Sequence, residues 1–243
     1  MIKPISDSTV TEKVYESLKK EIIANEYQPR TRLLLENLSK ELQVSMTPVR
    51  EALARLNSEG FVESERQGFY VSPITINDVE RMFEVRKLIE PYLAREAADK
   101  YEEDKLIEEK LSEVKRTIRR IEDRADGSDI SDALFTDYRN INAQIYLMLL
   151  RALGKSPWKH VFELLGDHVN RVSIFTENIS HQREKNVIED NNKEHLAILR
   201  AIEEADGERA EEATKKHLYM AKERSTEVTL NYERELDRSE VEA

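Results

Sequence analysis

The chain has 243 residues, of which 39% are hydrophobic and 36% charged, and a net charge of -11. That length suits one large domain or two modest ones with a sizeable core. It has no cysteine, only 6 Gly and 6 Pro, and no apolar run near the roughly 20 residues of a membrane span, which excludes disulfide frameworks, thiolate metal sites and a transmembrane protein and favours helix.

The first residues, MIKPISDSTV, lack the apolar core of a secretory signal, so a cytoplasmic protein is expected. Thr9 and Glu12 have capping-box spacing at the head of a first helix. Val14, Leu18 and Ile22 recur at helical spacing, and Gln28-Pro29 closes the segment. A second helix, over 35–42, turns Leu38 and Leu42 inward. Gln43, Val44 and Ser45 make a tight connection. A third helix starts at Thr47-Pro48, with Ser45 or Thr47 as cap, and stops at Gly60. Its buried stripe is Val49, Leu53 and Leu56. Two strand-like runs, 61–65 and 69–72, then flank Gln67-Gly68. That order describes a winged helix-turn-helix, whose third helix fits the DNA major groove.

The sequence 72–77 reads as a domain junction. Beyond it nearly everything is helical in pattern: 76–100, 103–124, 130–153, 156–180, 183–205 and 207–232. Breaks are expected at Asp126-Gly127, at Gly154 with Pro157, near Ser180, and at Asp206-Gly207. The expected fold is mainly α. A winged helix-turn-helix with a small β-wing occupies 1–74, an all-α helical bundle occupies 75–232, and a charged tail occupies 233–243. Residues 1–74 hold 10 Lys/Arg against 11 Asp/Glu, so -10 of the -11 lies in the helical part. A DNA reader needs a local basic face rather than a basic whole, and one this weakly basic needs two copies acting together.

Arg50 stands at the start of the third helix, where a guanidinium can grip guanine O6 and N7; the alternative is an ion pair with Glu41 or Glu51. Ser45 and Thr47 are helix caps, phosphate donors, or both. Arg32 is either a phosphate contact or a solvated arginine. Gly68 allows a tight wing turn near the minor groove, or is simply a hairpin residue. In the helical part, His195 precedes Gly207 by 12 residues and His217 follows it by 10. In an antiparallel hairpin the two imidazoles stand at similar height and converge. His195 shares a face with Leu199 and Ile202, and His217 with Ala210, Ala213 and Met220. Arg86 is a charge partner for an anionic effector or a surface salt bridge with Glu90. His160, His168 and His181 have no matching spacing, and Trp158 follows Pro157 as a core residue at a helix start.

The run SMTPVREALARLNSEGFVESERQGFYV closely resembles the signature of the GntR transcription-factor family. EVRKLIEPYLAREAA, the Gly154 to Pro157 break and EHLAILRAIEEADGERAEEATKKHL resemble its FadR/FCD branch, so the likeness spans nearly the whole chain. The resemblance implies a homodimer that binds a palindrome through its winged helices. It also implies a helical domain that takes a small organic acid or an acyl-CoA. Two departures stand out. Met46 lies where the family usually has Arg, and it can meet a thymine methyl instead. Arg30 follows Pro29 where the family often has Gly.

In metal-binding members an Asp, a His four residues later and two further His hold a divalent ion. Counting back from Gly154 places the first two at Asn142 and Tyr146, with His195 and His217 as the others. A neutral amide and a phenol are poor substitutes, so three readings stay open. They are a divalent metal on His195 and His217, two hydrogen-bonded core histidines, and a metal-free effector pocket in which all four bind a carboxylate or amide.

The leading function is an effector-responsive regulator, a repressor by family habit, that binds double-stranded operator DNA and no membrane. A metal-dependent hydrolase is opposed by the lack of a nucleophile–base pair, an HExxH run or a phosphate loop. A helical module using its winged helix for protein contacts is the third reading.

Overall fold

The computed structural model describes residues 10–66, 68–124, 132–156, 159–179 and 185–241. The expected features at Thr9, Gln67, Asp126-Gly127, Pro157, Trp158, Ser180 and His181 lie outside these residues. The chain divides into two compact units, Met1–Ile74 and Thr75–Ala243.

The first unit runs α1 (Val10–Ile23), β1 (Arg32–Leu33), α2 (Leu35–Glu41), α3 (Met46–Ser58), β2 (Val62–Glu65) and β3 (Gly68–Val71). Val14, Leu18 and Ile22 of α1 are buried, as are Val49, Ala52, Leu53 and Leu56 of α3. Phe61 and Val62 are buried beside them. Helix α1 stops at Ile23, short of the expected Gln28-Pro29. Asn25 takes a left-handed φ of 57°, and the Glu26 N–H reaches back to the Glu21 carbonyl at 3.0 Å. That reversal is how many helices close, and Asn tolerates it better than most residues.

The three strands form an antiparallel sheet in the order β1-β3-β2, with Arg32 opposite Tyr70 and Glu63 opposite Tyr70 on the other side. Strand β1 was not expected: two residues are too few to show an alternation. The fold is the mainly helical one expected, with a small wing after the third helix.

The second unit holds α4 (Ile76–Asp99), α5 (Lys105–Arg124), α6 (Asp132–Arg151), α7 (Lys159–Ile179), α8 (Lys185–Glu203) and α9 (Gly207–Val241). Thr75 and Asp78 cap α4 reciprocally: Asp78 N–H donates to the Thr75 hydroxyl, and Thr75 N–H donates to the Asp78 carboxylate at 2.9 Å. Asp206 caps α9 by accepting from the Arg209 N–H at 3.0 Å. Helix α9 runs antiparallel to α4: Glu233 accepts from Ile76 N–H at one end, and Glu211 pairs with Arg95 at the other. It also continues to Val241, through most of the segment expected as a separate charged tail. The core joins Leu93, Ala94 and Ala97 of α4 to Ile107 and Leu111 of α5, Ile141 and Met148 of α6, and Leu199 and Ile202 of α8. Helices α4, α6, α7, α8 and α9 all border its polar interior.

Candidate functional site

In the first unit α3 is tied to α1 by polar contacts on one side. Arg55 lies 3.5 Å above the Tyr15 ring, donates to Glu12 at 2.9 Å and donates to Glu59 at 3.2 Å. Tyr15 and Lys19 both donate to Glu59 as well. Burial opposes ionisation of Glu59, yet these donors hold its carboxyl below the usual range. Arg55 and Glu59 are thereby consumed in orienting α3.

The opposite face of α3 is exposed. Ser45 is the N-cap residue with extended backbone, and its hydroxyl makes no cap bond. The helix begins one residue before the expected Thr47. Met46 is 46% exposed, and Thr47, Arg50, Ala54 and Asn57 are exposed too. Arg50 pairs with neither expected carboxylate. Glu51 accepts from Thr11 instead, and Arg50 has no ion pair among the described residues. At the wing, Gly68 has φ of +134°, a conformation other residues rarely adopt. A Cβ there would stand 3.8 Å from Arg32 Nε, so Arg32 and Gly68 are neighbours at the base of the wing.

In the second unit the structure brings Arg86, Asn142, Tyr146, His195 and His217 around one cavity of about 10 Å³, room for about one water. The two imidazole centroids are 4.7 Å apart. Met220, expected on the same face as His217, is exposed, and Thr214 lines the cavity in its place. An adjoining cavity of about 40 Å³ shares Arg86, Asn142 and His217 and adds Tyr138, Glu177, Asn191 and Arg224.

Each of these groups has a partner. Arg86 forms the expected i,i+4 pair with Glu90, through Nε–Oε1 at 2.6 Å and Nη2–Oε2 at 3.1 Å. The pair is not on the surface, however: each residue is 5% exposed. Arg224 grips both oxygens of Glu194 at 3.0 and 2.9 Å, and His217 Nδ1 lies 2.9 Å from Glu194 Oε2. Burial works against the Glu194 charge, but His217 and Arg224 hold its carboxyl below the ordinary range. Asn191 donates to the Tyr138 hydroxyl at 2.5 Å. Tyr146 donates to the Phe162 carbonyl at 2.8 Å, and burial pushes its phenol up. Its ring lies against α7 at Gly166, where a Cβ would come within 2.4 Å of it. That close approach accounts for a glycine inside a helix.

Two groups have unusual protonation. Burial pushes the Glu177 carboxyl up to about 8, against the pull of Arg139 and a hydrogen bond from Asn142. His195 is 2% exposed, and burial, with the charges of His217, Arg224 and Arg86, holds its imidazole well below its usual range. Asn142 bridges Glu177 and His195: it hydrogen-bonds the Glu177 carboxyl, and its Oδ1 lies 3.0 Å from His195 Nε2. The buried Nδ1 of His195 has no hydrogen-bond partner among the described residues.

This donor set does not fit a divalent ion. Asn142 Oδ1 and His195 Nε2 are committed to each other, the Tyr146 hydroxyl is committed to a backbone carbonyl, and Glu194 is taken by Arg224. Among the described residues no group of three or more His, Asp or Glu is placed to hold a metal. The expected metal on His195 and His217 gives way to a hydrogen-bonded network. The sequence reading missed Tyr138, Glu177, Asn191, Glu194 and Arg224. Two signals were present: Glu194 adjoins His195, and Arg224 lies two turns beyond His217 on its face of α9.

Two family models match the chain: bacterial regulatory proteins of the gntR family over residues 10–90, and the FCD domain over 81–219. The regulator LutR of Bacillus subtilis is 30% identical over 200 residues, covering 74% of this chain and 84% of its own. The repressor RspR of Escherichia coli is 25% identical over 212 residues, covering 86% of both. Escherichia coli McbR/YncC has the same fold, with a TM-score of 0.72 at 18% identity over 93% of this chain and 100% of its own. Regulators of this family bind DNA, their FCD domains bind small-molecule effectors, and they are not enzymes. The chain belongs to the GntR family of bacterial transcriptional regulators and carries an FCD domain behind its winged helix.

Proposed function

We propose that the protein is a homodimeric repressor that binds a pseudo-palindromic operator and responds to a small molecule held among α4, α6, α7, α8 and α9. The observation that carries this reading is the outward face of α3. Arg50 is exposed there and unpaired among the described residues, while Arg55 on the other side anchors the helix. In the major groove Arg50 takes guanine O6 and N7, and Met46 lies against a thymine methyl. Ser45 and Thr47 donate to phosphate at the helix start, and Arg32 and Gly68 bring the wing to the backbone and minor groove.

One such surface carries little positive charge. Two copies on successive half-sites supply the affinity that one lacks, and the acidic helical half disfavours non-specific attachment. Effector binding changes the relative affinity of the dimer for operator and for free solution, a coupling that is reciprocal. The cytoplasm, where the chromosome lies, is its place of work. The test is selection of bound duplexes from a random pool, followed by footprinting. A protected inverted repeat with steep salt dependence is expected. Equal binding to all duplexes sinks the reading.

A further inference from the structure

Sulfur chemistry in this chain belongs to methionine, since it has 5 Met and no Cys. Among the described residues, Met148 is buried in the helical core and Met82 is half-buried. Met220 is 40% exposed in the helical unit, and Met46 is 46% exposed at the first position of α3. An oxidant must reach the sulfur itself, so exposure ranks Met46 and Met220 ahead of the other two. Met46 alone of these four lies on the proposed reading helix.

Met46 also stands four residues before Arg50, so the two side chains are neighbours on one face of α3. Arg50 is exposed and has no ion pair among the described residues. A thioether is a weak acceptor and leaves that guanidinium free for a base edge. A sulfoxide at the same place is strongly polar, and its oxygen accepts hydrogen bonds well.

We propose that Met46 is an oxidation site through which a peroxide weakens DNA reading. The sulfur lone pair attacks one oxygen of hydrogen peroxide. An S–O bond forms as the O–O bond breaks. The proton of the transferred oxygen passes to the departing hydroxide, which leaves as water. The sulfur loses two electrons and the peroxide gains them. Two losses at the operator follow. The contact with a thymine methyl is replaced by a polar group on an apolar one. The new oxygen also accepts from Arg50 one turn along the helix and competes with guanine for its guanidinium. Because Met46 is exposed, the fold is left intact. Methionine sulfoxide is reduced enzymatically, one reductase for each epimer, so the change is reversible.

This inference rests on α3 being the DNA-reading helix. If the unoxidised protein selects no operator, the regulator reading falls and this inference with it. If it selects one and binds it equally after Met46 is oxidised, only this inference falls.

The test uses the full chain and the operator recovered from the random pool. Samples taken along a hydrogen peroxide titration are mapped by peptide mass, and each is measured for operator affinity by fluorescence anisotropy and for Tm. Met46 should gain one oxygen before Met82 and Met148 do. Affinity should then fall by at least about tenfold, with Tm within a degree or so of its starting value. Treatment with both reductases should restore it, a check on the wild-type chain that needs no variant. Met46→Leu should bind with an affinity of its own that peroxide does not change, whereas Met220→Leu should stay sensitive. Oxidation of Met46 without loss of affinity, a loss that persists in Met46→Leu, a loss that tracks a fall in Tm, or a Met46 that resists peroxide while Met148 oxidises would each overturn the proposal.

Discussion

The two units carry polar groups in opposite ways. The winged-helix unit presents the polar groups of its proposed DNA-reading face outward: Arg50 is exposed, and Ser45 makes no cap bond. The helical unit turns its polar groups inward, where Arg86, Glu90 and His195 are nearly inaccessible and most atoms already have partners. A surface that meets a large ligand can leave its groups solvated until contact. A buried site cannot, because each unpaired polar group in the interior costs free energy. Removing a group should therefore cost binding in the first unit and stability in the second.

The largest effect is expected from Glu90→Ala. It leaves the Arg86 guanidinium buried without its carboxylate, and loss of one partner of such a pair costs about 3–5 kcal/mol. Urea unfolding reads this directly, and a loss below about 1 kcal/mol would mean that Arg86 has another way to be satisfied. Arg50→Ala is the mirror experiment. Operator affinity should fall by about 1–3 kcal/mol per half-site while Tm stays within a degree or so. Fluorescence anisotropy on a selected operator measures the first quantity and a melting curve the second. A stability loss comparable to the binding loss would erase the contrast between the units.

What could be read from the sequence follows the same division. The α3 surface lies in one run of chain, so the residue types at its start were enough to place Arg50 on the outward face. Strand β1 escaped because two residues, Arg32 and Leu33, carry no period. In the helical unit, the height argument brought His195 and His217 together correctly because both flank one turn. Glu177 could not be found that way. It comes from α7, and its significance lies in burial beside Asn142 and Tyr138, which no local pattern encodes. Arg86 was readable as one half of an i,i+4 pair, but that spacing does not reveal that the pair is buried.

Glu177 supplies a pH test of the inward unit. Its carboxyl is raised from 4.5 to about 8, so the folded protein holds this proton more tightly than the unfolded chain. Its contribution to stability is complete below about pH 4.5 and is lost as pH rises toward and through 8. The slope within that window is up to about 1.4 kcal/mol per pH unit. Glu177→Gln keeps the shape and removes the titration, so it should flatten the fall of Tm between pH 5 and pH 9. The two profiles should meet near pH 5. Parallel profiles would show that Glu177 is already ionised.

The smallest effect concerns Arg30, which joins stability and binding in the outward unit. Arg30 holds a left-handed φ of 67°, and its N–H bonds to the Val71 carbonyl at 2.8 Å. A non-glycine residue there costs about 1–2 kcal/mol, whereas a glycine costs about 0.5–1 kcal/mol more in unfolded-chain entropy. Arg30→Gly should therefore stabilise the fold by about 0.5–1 kcal/mol, measured by urea unfolding. If the guanidinium touches a DNA phosphate, the same variant binds operator more weakly, and its dependence on log salt becomes shallower by about one unit for each Arg30 that makes the contact. A gain in stability with unchanged salt dependence would make Arg30 a backbone liability only. A gain in stability with a shallower slope would show that contact with DNA, and not backbone comfort, keeps an arginine at this left-handed position.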